Sequence, residues 1–208
     1  MGEKHFRPAW WLVLSLATSI ARGGDSHGHA EFVIGRSATG QLIVEFNFKE
    51  SVLLPPIEGL LNGWGADEPG FVSLAKDEPA EGIFTLADGA VVALQVVSFD
   101  TAFRGITPGF ASVFRNPGDT WVIGEPALDE HGFWHINSDD PAFDPNQMEW
   151  RASFRLIDMG ATGYAATNEL TVRFTNVPEP ASFVFMALAA MALAWKRARP
   201  VADFRNRA

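Results

Sequence analysis

The sequence predicts a mainly β protein: an antiparallel β-sandwich with a jelly-roll-like arrangement, flanked by an apolar helix at each end. Three observations carry that expectation. Several segments alternate apolar and polar residues with a period of two, the spacing of half-buried strands. Turns rich in proline and glycine separate them at short intervals. No stretch of the body sustains a helical period, and eight to ten short strands of this kind belong to a sandwich or jelly roll.

Residues 1–21 read as a secretory signal peptide. Lys4, His5 and Arg7 form a short basic start, and Ala9 to Ile20 is an apolar core too short for an ordinary span. Ser19 and Ala21 supply the small residues of a cleavage site after Ala21, while a second cut after Ala30 is compatible with the local sequence. Signal peptidase is the expected partner, and the body is expected to cross the inner membrane.

The exported domain is expected over residues 22–176. Its clearest strands are QLIVEFNF at 41–48, WRASFRLI at 150–157 and ELTVRFT at 169–175. In these, Leu42, Val44, Phe46 and Phe48 share a face, as do Trp150, Ala152, Phe154 and Leu156, and Leu170, Val172 and Phe174. Further strands are expected at 30–35, 71–75, 82–86, 91–99, 110–114, 120–123 and 131–136, with a short helix near 56–62. Turns at 38–40, 67–70, 87–89 and 116–119 separate them. No internal repeat is visible, so a propeller or solenoid is not expected.

Charge and composition narrow the function classes. Residues 22–180 hold nine basic against twenty-three acidic residues, a net charge of −14, whereas the whole chain carries −9. Such a surface repels phosphate backbones, so nucleic acid is not an expected partner. The chain has no cysteine, which excludes disulfides, thiolate metal ligands and a cysteine nucleophile. No G-x-S-x-G, H-E-x-x-H, P-loop or dinucleotide-binding glycine pattern occurs, so a non-enzymatic protein is expected.

Two histidine pairs are the leading candidates for chemistry. His27 and His29 stand at i and i+2, so in an extended segment both rings point to one side with Cα atoms ~7 Å apart, able to share a zinc ion. Glu31 continues that face. His131 and His135 would lie ~13 Å apart if extended, so one of them, not both, would complete a site begun by the first pair. The competing reading makes the first pair part of a free N-terminus and the second ordinary loop residues. A calcium ion is the other candidate cofactor. Asp139, Asp140, Asp144 and Asn146 offer the required oxygens, although an Asp/Pro-rich solvated turn has the same composition. A glycan-binding alternative rests on Trp64, expected on a loop, and Trp134, both able to stack on sugar rings of an exopolysaccharide.

The C-terminal segment, residues 177–208, has three features in order. Val177-Pro178-Glu179-Pro180 is followed by an apolar run at Ala181 to Trp195 and then by Lys196, Arg197, Arg199, Arg205 and Arg207. As a helix the run is ~22 Å long against a ~30 Å hydrocarbon core, enough to hold a protein briefly and marginal as a permanent anchor. The basic flank holds that end in the cytoplasm. This tail resembles the PEP-CTERM sorting signal, whose Pro-Glu-Pro falls on Pro178, Glu179 and Pro180, with Arg197 and Arg199 in its basic end. The resemblance implies recognition and cutting near the motif by an exosortase-like membrane protease. It also implies sorting to the cell envelope or surface, or release, after transient membrane anchoring through a helix at about 181–195. The body is loosely similar to exported planctomycete proteins of that class, through its N-terminal histidines, Pro69-Gly70-Phe71 and Thr162-Gly163-Tyr164.

Overall fold

The structure is a computed structural model, described here for residues 31–59 and 61–177. The expected signal helix, the C-terminal helix and both sorting-motif prolines lie outside the described residues. In chain order the strands are β1 (Phe32–Ser37), β2 (Leu42–Glu45), β3 (Val52–Leu54), β4 (Pro56–Ile57) and β5 (Gly63–Ala66). Next come β6 (Phe71–Ser73), β7 (Ile83–Phe84), β8 (Val92–Phe99), β9 (Phe103–Ile106) and β10 (Val113–Phe114). The last five are β11 (Thr120–Gly124), β12 (Asp129–Glu130), β13 (Phe133–Asn137), β14 (Glu149–Asp158) and β15 (Leu170–Asn176).

These strands form three sheets. One runs β12-β6-β1-β2 with β7 also paired to β1; the second runs β10-β9-β13-β5-β4; the third runs β11-β8-β14-β15-β3. Most pairs are antiparallel, but β1 with β6 and β15 with β3 are parallel. Two of the three sheets are therefore mixed, which corrects the purely antiparallel expectation, while the β10-β9-β13-β5-β4 sheet is antiparallel throughout. Both parallel pairs join strands distant in sequence, so no hairpin constrains their direction.

One core serves all three sheets. Trp134 of β13 is 1% exposed and lies at its centre. The rings of Phe71, Phe103, Phe114, Phe154 and Phe174 surround it at centroid distances of 5.3 to 6.3 Å. Packing of this kind must replace the missing disulfides, at roughly 1.5–3 kcal/mol per fully buried apolar side chain. The alternation read in the sequence is largely realised: Trp150, Ala152, Phe154 and Leu156 are fully buried while Arg151 and Arg155 are exposed, but Ser153, on the polar face, is buried where the register shifts before Phe154.

The expected helix near 56–62 is replaced by β4 and β5, which pair with each other. Pro55 and Pro56 favour extended backbone before them. Gly63 has φ of 121°, and a Cβ there would collide with the Ile136 carbonyl of the adjacent strand. Trp64 consequently sits on a strand rather than on the expected loop. A 3-10 turn at Pro108–Phe110 occupies the start of the strand expected at 110–114.

Candidate functional site

The N-terminal end of β6 gathers three segments. β1 runs parallel on one side of it and β12 antiparallel on the other. Phe32 N–H donates to the Gly70 carbonyl at 2.9 Å, which fixes where the chain enters the sheet. Glu31, just before β1, is thereby brought to Asp129 of β12 and to His131. Their potential ligand atoms all lie within 4.8 Å of one another.

His131 is held in this position by its surroundings. Its ring lies against Gly70, where any Cβ would meet the imidazole atoms. Nε2 faces Asp129 Oδ1 at 3.3 Å. Nδ1 faces the Asp67 carbonyl at 3.4 Å and Glu68 Oε1 at 3.6 Å. Burial works against protonation of this ring, but the Glu68 charge, the Asp67 carbonyl and Asp129 outweigh it and raise the His131 pKa. Glu68 Oε2 also accepts the Gly70 N–H at 3.1 Å. Glu31 and Glu68 line an adjoining groove of about 410 Å³, with Phe46, Val52, Leu53 and Ala66 as its apolar part.

An imidazole nitrogen and two carboxylates are suitable donors for zinc. Ligand atoms at 2.0–2.1 Å on a tetrahedral ion are about 3.4 Å apart. The Nε2–Oδ1 separation already matches this spacing, and Nδ1 is turned toward acceptors, as an outer hydrogen bond to a metal-bound histidine requires. His27 and His29 lie outside the described residues.

Other candidates fare differently. His135 is fully buried, accepts from Arg104 Nε at Nδ1 (3.0 Å) and donates from Nε2 to the Asn62 carbonyl (3.0 Å). Burial, followed by the Arg104 charge, pushes its pKa down to about 4. With both nitrogens engaged it is a neutral core residue and not a metal ligand, which corrects that expectation.

In the acidic loop, Asp139 Oδ2 accepts from Asn62, Asp140 Oδ2 pairs with Arg115 at 3.1 Å, and Asp144 Oδ1 caps Asn146. Among the described residues this loop brings no three acidic groups within reach of one ion. At least one oxygen of each of Asp139, Asp140 and Asp144 is engaged in a turn or cross-loop bond.

Trp134 is also corrected. Its indole N–H donates to the Pro69 carbonyl at 2.9 Å inside the core, leaving no face for a sugar. Trp64 is half-buried and stacks on Phe143 at 5.9 Å, and Phe143 in turn stacks on Trp150 at 6.2 Å. Its indole N–H donates to the Val177 carbonyl at 3.0 Å. The Val177 N–H donates to the Leu54 carbonyl at 3.0 Å, so the strand bonding continues to the residue before Pro178.

The histidine was visible in the sequence, and so was Glu31. The sequence does not mark Asp129 or Glu68 as ligands, and it marks Gly70 only within Pro69-Gly70-Phe71. Asp129 stands two residues from His131, a local signal that could have been read, but its approach to Glu31 depends on both flanking strands choosing β6.

The PEP-CTERM protein-sorting motif matches residues 176–198. The match starts on the last residue of β15 and marks the chain for export and exosortase-dependent sorting to the envelope or surface. No curated protein and no solved structure matches the chain, and the planctomycete likeness of the body gains no support from them.

Proposed function

We propose that this chain is an exported surface protein whose β-sandwich-like body binds a divalent metal ion, with zinc the best fit, and performs no catalysis. The observation that supports metal binding is the convergence of Glu31, Asp129 and His131 beside Gly70. His29 is two residues upstream of Glu31, within ~7 Å of chain, so a histidine from the new N-terminus supplies the fourth ligand when signal peptidase cuts after Ala21. Zinc is favoured over calcium because calcium prefers six or more oxygens, whereas this set contains an imidazole. The tail serves as a transient membrane anchor until an exosortase-like protease removes it. The glycan-binding alternative retains Trp64 alone.

Titration calorimetry of the exported protein with zinc and with calcium tests the metal reading. One zinc per chain is expected, with affinity lowered at least 10-fold in His131→Gln and calcium binding far weaker. No zinc binding, or equal affinity in His131→Gln, overturns it. Loss of affinity in a His27→Ala/His29→Ala chain supports the N-terminal ligand, and an unchanged affinity removes it.

A further inference from the structure

We infer that the folded body sets the upstream limit of tail removal: the bond that is cut lies C-terminal to Val177, and Trp64 is the positioning residue that holds this limit. The inference rests on the reading that the tail is removed.

Proteases act on locally open, extended chain, so a segment held on both sides is cut only at the frequency with which it opens. β15 is held on both sides, by β14 and β3, and its final pairs are Thr175 with Leu53 and Asn176 with Leu54. Asn176 is 8% exposed. At Val177 the two backbone groups have different holders: β3 takes the N–H, while the carbonyl accepts from Trp64, a residue of another sheet. The Trp64 ring is itself braced by Phe143, so the donor is held in place.

Hydrolysis here breaks a peptide C–N bond. The acyl carbon takes the hydroxyl of a water, and the downstream residue leaves as an amine carrying the remaining proton. A cut at Asn176–Val177 or earlier would require the enzyme to pull out a strand whose Val172 and Phe174 are fully buried. A cut after Val177 leaves the whole sheet in place.

Intact-mass analysis of the exported protein, with full-length chain in detergent treated with a broad-specificity protease in parallel, tests both statements. The exported chain is expected to retain Val177, and trimming of the full-length chain to stop at Val177 or beyond. A terminus at Asn176 or earlier in either sample overturns the limit. An exported chain with its whole tail overturns the processing reading, while the protease arm still decides the limit. Trp64→Phe keeps the stacked ring and loses the donor; Val177 is expected to be trimmed about five-fold faster, as for one lost hydrogen bond. Trimming at the unchanged rate overturns the role of Trp64.

Discussion

The edge where the chain enters its sheets and the edge where it leaves them are built on opposite principles. At the entry edge, Glu31, Glu68, Asp129 and His131 crowd charged groups around a partly open site, and Asp129 keeps a side chain 74% exposed. At the exit edge, indole, carbonyl and amide groups satisfy the Val177 backbone against partly buried aromatic rings. The cost at the exit is the buried Oδ1 of Asn176, which has no hydrogen-bond partner among the described residues. An edge that brings an imidazole and two carboxylates within 4.8 Å of one another is suited to take up a cation. An edge whose backbone is already bonded resists being opened. The same sheet chemistry thus yields a receptive end and a protected one.

Trp134 joins the two. Its N–H holds the Pro69 carbonyl one residue before Gly70, and its ring packs on Phe174 of the exit strand. Trp134→Ala is expected to destabilise the protein by about 3–5 kcal/mol and to loosen both edges together. Denaturant unfolding followed by hydrogen exchange checks this; protection retained at either edge would show that the two are held independently. Gly70→Ala separates them. The new Cβ would displace the His131 ring, so zinc affinity should fall at least 10-fold for about 1–3 kcal/mol of stability, with Val177 protection unchanged. Equal zinc affinity in calorimetry would mean that Gly70 does not cradle the site.

The smallest effect is pH-dependent. The folded-state pKa of His135 is depressed from 6.5 to about 4, so its contribution to stability is full above pH 6.5 and lost as pH falls toward 4. His131 is raised, so its contribution is full below pH 6.5 and lost as pH rises through its folded value. Without metal, denaturation series from pH 4 to 8 should therefore show opposite slopes removed by His135→Asn and His131→Gln. Because a metal needs the neutral ring, zinc affinity should weaken as pH drops through the raised value of His131. A pH-independent zinc affinity would place the ion elsewhere.

Much of the fold was legible because alternation is a local property. β14 declares its buried face through Trp150, Ala152, Phe154 and Leu156, and β15 does so through Val172 and Phe174. β13 declares nothing of this kind, since Trp134, His135 and Ile136 are all buried and both faces meet other atoms. That is why Trp134 could be read as a surface aromatic and His135 as a ligand. β4 and β5 were hidden for another reason: their bonding depends on the unusual backbone of Gly63 and on close approach to β13, neither of which has a periodic signature. The metal candidate was half legible. Histidine and glutamate were visible as residue types, but their meeting with Asp129 is a consequence of sheet order.

Native mass spectrometry of the exported protein in the presence of zinc reads both edges at once. The expected species is one chain that ends at Val177 or beyond and carries one zinc ion that His131→Gln loses. A chain without zinc, or one that ends at Asn176 or earlier, would contradict the account at the entry edge or the exit edge respectively.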